Sequence, residues 1–156
     1  MTGRPERKDV RLKEYDYSRP GYYFVTVCAK DRACLFGERG RPMAAPTTRM
    51  GQLVVAGLGH IPVAYPYIHV ERFCIMPNHI HVILCFGPVG AAIGRPPSLS
   101  QVINQLKGYV SKQAGYSVWQ RGYYEHVIRS EREFLEISRY IEENPLKWDQ
   151  DEYYHA

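Results

Sequence analysis

One stretch limits the possible folds more than any other: Met76-Pro77-Asn78-His79-Ile80-His81-Val82-Ile83-Leu84. It is an apolar run that reads as a buried strand, interrupted by two histidines either side of one isoleucine. A strand repeats every two residues, so His79 and His81 share one face while Ile80 and Val82 share the other. Two imidazoles side by side on a core strand are costly to bury unless their ring nitrogens are satisfied. A divalent cation does this, because imidazole is a ready ligand. Hydrogen bonds to backbone or carboxylate would do it equally well, and the pair alone leaves both readings open.

The rest of the chain supplies partners for that strand. Tyr22 to Ala29 follows Pro20-Gly21 and is rich in β-branched and aromatic residues, so it reads as a strand. Residues 33–47 read as a hairpin or loop excursion, and Met50 to about Ile61 as a glycine-weakened helix. Tyr67 to Cys74 and Asn78 to Phe86 read as strands joined at Pro77. After a Gly/Pro loop over 87–97, Ser98 or Ser100 caps a helix whose apolar face is Val102, Leu106, Tyr109 and Val110, and Gly115 ends it. Gly122 to Arg129 is another strand. Ser130 and Glu133 form a capping-box pattern that opens a last helix over 130–145, closed by Pro145 because the residue before a proline is pushed out of helical geometry.

The order β-(hairpin)-α-β-β-α-β-α is a split βαβ pattern. It predicts an α+β fold: a ferredoxin-like α/β sandwich, an antiparallel sheet with helices on one side, plus one C-terminal helix. At 156 residues, 45% of them hydrophobic, a single domain over 1–156 is expected. No apolar run reaches the ~20 residues of a membrane span, and the N-terminus lacks a signal-peptide core, so a cytoplasmic protein is expected. Cys28, Cys34, Cys74 and Cys85 lie far apart, without the spacing of a zinc site or a disulfide framework.

Charge is unevenly placed. Residues 131–156 carry eight acidic and three basic side chains, which leaves 17 Lys/Arg against 8 Asp/Glu in residues 1–130, a surplus of +9. Arg4, Arg7, Lys8, Arg11 and Lys13 make residues 1–20 a basic N-terminal arm, with Tyr15 and Tyr17 beside them. Lys107 and Lys112 lie on the polar face of the middle helix. A basic, aromatic surface is what single-stranded nucleic acid requires, and an ordinary solvated surface is the competing reading.

On the last helix Phe134, Ile137 and Ile141 make the buried stripe. Tyr140 and Asn144 fall beside it, one turn apart on one flank. Asn144 offers a carboxamide oxygen, a hard ligand suited to magnesium or manganese. His126, on the preceding strand, is a further candidate for the floor of such a site. Tyr109, Tyr116, Tyr123 and Tyr124 are further tyrosines in the chain, and Tyr123 and Tyr124 sit on a strand without an associated ligand.

Met76-Pro-Asn-His-Ile-His81 resembles the HUH motif (His, bulky hydrophobic, His) of the single-tyrosine transposases. Trp119-Gln-Arg-Gly-Tyr-Tyr-Glu-His-Val-Ile-Arg129 followed by Tyr140-Ile-Glu-Glu-Asn-Pro-Leu-Lys147 resembles their C-terminal signature, in the version found in REP-associated tyrosine transposases of bacterial genomes. The resemblance runs from about Arg11 to Trp148. It implies His79 and His81 as metal ligands on a central strand, Tyr140 as nucleophile on the last helix, and Asn144 as third ligand, where mobile relatives often have glutamine. It also implies Mg2+ or Mn2+, and a single-stranded DNA substrate with hairpin (palindromic) elements. The activity implied is strand cleavage and transfer through a 5′-phosphotyrosine, associated with the bacterial nucleoid, by a monomer or a homodimer. Two other readings stand beside it: a domesticated hairpin-DNA-binding protein without productive strand transfer, and a metal hydrolase using an activated water.

Overall fold

The computed structural model describes residues 21–37, 48–88 and 97–144. The basic arm, most of the 33–47 excursion, most of the Gly/Pro loop and everything from Pro145 onward lie outside the described residues. The elements are strand β1 (Gly21–Cys28), a short 3-10 turn at Lys30–Arg32, helix α1 (Arg49–Ala64), strands β2 (Ile68–Met76) and β3 (His79–Phe86), helix α2 (Leu99–Ala114), strand β4 (Tyr124–Ile128) and helix α3 (Glu131–Glu143). The four strands form one sheet in the order β2-β3-β1-β4, antiparallel throughout. This is the ferredoxin-like order, in which β3 separates β1 from β2.

Strand periodicity divides the sheet into two unequal faces. On one, Tyr23, Val25, Val27, Ile80, Val82, Leu84 and Phe86 pack with Val54, Leu58 and Ile61 of α1 and Leu99, Val102, Ile103, Leu106 and Val110 of α2. On the other, Phe24, Cys74, Met76, Ile83 and Ile128 form a smaller core with Ile141 of α3. So α1 and α2 share one side and α3 lies alone on the opposite one. The alternation along β3 is strict enough that a shift of one residue would exchange its two faces.

Local signals explain most boundaries. α2 opens on Ser98: its Oγ accepts from Gln101 N–H while Gln101 Oε1 accepts from Ser98 N–H, and Gly115 closes it in the left-handed conformation. Ser100 serves a tertiary contact instead, its hydroxyl 2.9 Å from that of Tyr123. α1 continues through Pro62 to Ala64, past the expected end at Ile61. The proline has no N–H to donate to the preceding turn, yet the helix runs past it and Tyr65 N–H still bonds Ile61 O. Its glycines have a packing reason at Gly57, where a Cβ would meet Leu106, Tyr109 and Val110 of α2 at 2.9–3.2 Å. β4 starts at Tyr124, two residues later than expected, because Gly122 takes a φ of +76°.

α3 departs twice from expectation. Ser130 Oγ accepts from Glu133 N–H as a cap should. Glu133, however, does not return the bond to Ser130. Its Oε1 accepts from Arg129 N–H one residue earlier and its Oε2 faces His126, so the capping box is only half made. At the other end Asn144, which precedes a proline, keeps helical angles (φ −58°, ψ −44°), because its N–H is held by Tyr140 O. Proline disfavours that geometry without forbidding it. No described helix is long and apolar enough to cross a membrane.

Candidate nucleic-acid cleavage site

The α3 face of the sheet carries the candidate site residues. His79 and His81 are 0% and 1% exposed, on a strand buried along nearly its whole length. Register places His81 between Cys74 of β2 and Thr26 of β1, and His79 between Met76 and Cys28. The two Nε2 atoms face each other at 3.1 Å. Their outer nitrogens are both occupied: His79 Nδ1 lies 2.7 Å from Asn78 Oδ1 and His81 Nδ1 lies 2.8 Å from Thr26 Oγ1. Neither Thr26 nor Asn78 stands out in the sequence as a site residue, because only the β1–β3 register brings Thr26 to His81. Asn78 could have been found from its place directly before the histidine pair.

α3 delivers the tyrosine. The Tyr140 ring stands edge-on to the His81 ring, centroids 5.2 Å apart, with Phe24 stacked on His81 at 5.6 Å from the other strand. Tyr140 is 42% exposed, so the buried pair lies beneath a phenol that solvent can reach. Asn144, one turn on, is 4% exposed, and its Nδ2 has no hydrogen-bond partner among the described residues. A buried amide donor without an acceptor is costly. The assignment of amide N and O follows from partners, and turning this amide places its oxygen at the unpartnered position.

These donors suit a divalent cation. Two ligand atoms at right angles, each about 2.1 Å from a six-coordinate cation, lie about 3.0 Å apart, close to the observed Nε2 separation. Second nitrogens held by Asn78 and Thr26 are the usual support of a ligating histidine. Among the described residues no group of three or more His, Cys, Asp or Glu forms a metal site, so a third ligand drawn from those residues would be of another type. Asn144 is of that type.

Three expected residues land elsewhere. His126 sits on the α3 side of β4, but its Nε2 is 2.6 Å from Glu133 Oε2, so it latches the start of α3 instead of flooring the histidine site. Burial alone would raise the Glu133 carboxyl. The Arg129 N–H, the His126 hydrogen bond and the neighbouring positive charges outweigh it and hold the carboxyl below its ordinary range. Lys107 is not a free cation for a DNA backbone: its Nζ donates to Gln120 O at 3.0 Å and Gly122 O at 2.7 Å, above the Tyr123 ring. Burial lowers its pKa from the ordinary lysine value. Lys112 is exposed on the last turn of α2, but α2 belongs to the sheet face opposite the histidines. Arg4, Arg7, Lys8, Arg11 and Lys13 lie outside the described residues.

Known proteins share this architecture. No protein-family model matches the chain. A protein of Haemophilus influenzae described only as uncharacterized is 33% identical over 98% of this chain and 96% of its own length, which makes the two members of one family. A second protein of that organism, named "Putative REP-associated tyrosine transposase", is 23% identical over 85% of this chain and 74% of its own. The solved structure of a REP-associated tyrosine transposase bound to a REP hairpin superposes with a TM-score of 0.65, covering 88% of this chain and 73% of that one at 20% identity. The chain has the REP-associated tyrosine transposase fold. A crystal structure described as a putative transposase from Deinococcus radiodurans R1 matches more loosely, with a TM-score of 0.52 at 16% identity. The REP-associated transposase fold thus accounts for the four-stranded sheet and for the C-terminal helix set against its second face.

Proposed function

We propose that this chain is a metal-dependent tyrosine transposase that cleaves and rejoins single-stranded DNA at hairpin elements. The observation that carries the reading is the Tyr140 ring set 5.2 Å from His81, over two imidazole Nε2 atoms 3.1 Å apart. The REP hairpin held by a structure of the same fold supports a hairpin as partner.

In this reading the Tyr140 hydroxyl attacks a phosphodiester, forming a 5′-phosphotyrosine and releasing a 3′-hydroxyl. A second 3′-hydroxyl then attacks the adduct and frees Tyr140, so one phosphodiester is exchanged for another without an external energy source. A free tyrosine hydroxyl ionises only near pH 10, so it is a weak nucleophile that needs help. His79, His81 and Asn144 would hold Mg2+ or Mn2+, which when bound supplies charge neutralisation at the scissile phosphate. Phe24 and α3 fix the phenol beside that pair, and its exposure leaves the approach open to a strand. The basic arm from Arg4 to Lys13 is proposed to contact the substrate backbone.

The test is an end-labelled, hairpin-bearing single strand from the DNA flanking the gene, incubated with the protein and Mg2+ or Mn2+ and run on a denaturing gel. A covalent adduct absent from Tyr140→Phe is the expected result. Binding without an adduct would leave a hairpin-binding module, and cleavage that survives Tyr140→Phe would assign the chemistry to an activated water.

A further inference from the structure

The two histidines are held by partners of different kinds. The Asn78 carboxamide is oriented from its far end, where Nδ2 donates to Arg32 O at 3.4 Å, and its oxygen therefore faces His79. A carboxamide oxygen only accepts, so His79 carries its proton on Nδ1 and presents a bare lone pair at Nε2. A hydroxyl has no such fixed role. Thr26, 3% exposed, can either donate to His81 Nδ1 or accept from it.

That asymmetry decides what the facing Nε2 atoms can do. Two bare lone pairs 3.1 Å apart repel, so without a cation His81 carries its proton on Nε2 and donates it to His79. Nδ1 of His81 is then the acceptor, and Thr26 donates to it. With a cation bound at both Nε2 atoms the His81 proton must sit on Nδ1, and Thr26 must accept. We propose that Thr26 is a positioning residue of the metal site, its hydroxyl reversing from donor to acceptor as His81 changes tautomer, while Asn78 keeps His79 in its ligating form throughout. Each imidazole is neutral in both states: one proton leaves Nε2 of His81, one arrives at Nδ1, and the net exchange is zero. The inference rests on the reading of His79 and His81 as metal ligands.

A residue that could only donate would oppose metal binding, and one that could only accept would leave the metal-free pair repelling. A threonine hydroxyl serves both states through rotation about one bond. Valine has the same branched shape without the hydroxyl and suits a strand, which makes Thr26→Val the informative change, with Thr26→Ser as its chemical rescue.

The experiment is Mn2+ titration of the whole chain followed by the free-ion electron paramagnetic signal, together with histidine ring-nitrogen NMR with and without Mg2+. Thr26→Val is expected to weaken Mn2+ binding roughly 10- to 100-fold, the usual cost of losing a histidine's outer partner, and Thr26→Ser to restore it. In the wild type, His81 should pass from the Nε2–H to the Nδ1–H form on adding Mg2+, with His79 Nδ1–H in both states. Unchanged Mn2+ affinity in Thr26→Val, equal losses in the valine and serine variants, or an Nδ1–H His81 already present without metal would each overturn the proposal alone. A wild-type chain that binds no Mn2+ would instead overturn the ligand reading, and this inference with it.

Discussion

Ile141→Ala tests whether α3 is a separately docked layer that carries the tyrosine. Ile141 is 2% exposed and adjoins Tyr140 in sequence, and it packs in the small core with Phe24, Cys74, Met76, Ile83 and Ile128. Removing the equivalent of three methylenes forfeits about 2.4 kcal/mol at about 0.8 kcal/mol each. The cavity left behind places such changes at about 2–5 kcal/mol overall. The larger core contains no α3 residue, so the loss falls on the docking of α3 and not on the α1/α2 layer. Local opening is then the cheapest response, and about 2.4 kcal/mol shifts its equilibrium roughly 60-fold. Hydrogen exchange followed by NMR should show α3 amides accelerated by about that factor while those of β1 and β3 change far less. Adduct formation on hairpin DNA should fall in parallel, because Tyr140 leaves His81 when α3 lifts. Uniform acceleration across α3, β1 and β3 would show that the helix is integral to one cooperative unit and refute the reasoning. Full adduct formation in a variant with a loosened α3 would refute the link between docking and chemistry.

Other changes separate structural from chemical roles. Lys107→Met removes two charge-assisted bonds to carbonyls and should cost about 1–3 kcal/mol in denaturant unfolding; a weakened salt-dependent DNA affinity at unchanged stability would return Lys107 to the phosphate contacts. Ser130→Ala removes the cap on Glu133 N–H and should cost about 1 kcal/mol of thermal stability, and no change would show that bond to be idle. The Glu133 carboxyl is held below its ordinary range, so its contribution is fully present above the unfolded carboxylate range and is lost as pH falls through the lower folded value. The melting-temperature gap between wild type and Glu133→Gln should therefore be open above the carboxylate range and close in acid, and a gap that persists in strong acid would contradict the latch.

What the sequence disclosed depended on how local the cause was. The two faces of β3 follow from a period of two, and the Ser98 cap and the Gly115 stop of α2 follow from side-chain chemistry within one turn. The ferredoxin-like order came from the alternation of elements, since a split βαβ leaves few ways to place four strands. Lys107 occupies a polar helical position, but its contacts depend on the chain after α2 returning to offer the carbonyls of Gln120 and Gly122, which no local pattern shows. The half-made capping box has the same origin: Glu133 was expected to turn back to Ser130, and a histidine seven residues earlier, placed by the sheet, engaged it instead. Thr26 belongs to this class too. Nothing local to YYFVTVCA marks it, and it meets His81 only through cross-strand register.

The histidine pair offers two readings, ligands or hydrogen-bonded core residues, and one geometry accommodates both. Each ring uses its outer nitrogen as a core histidine would, on Thr26 or Asn78, and turns its inner nitrogen toward the other as a ligand would. Burial demands the first arrangement, because an unpaired imidazole nitrogen in a strand this enclosed is costly. The first arrangement then produces the second, since a ring held at Nδ1 can aim only Nε2. Ile80, Val82 and Leu84 fill the large core on the opposite face of the same strand, which allows the face of His79 and His81 to be polar without the strand losing its place. The larger core and the candidate site thus lie on opposite sides of β3. The tyrosine arrives on the side with the smaller core.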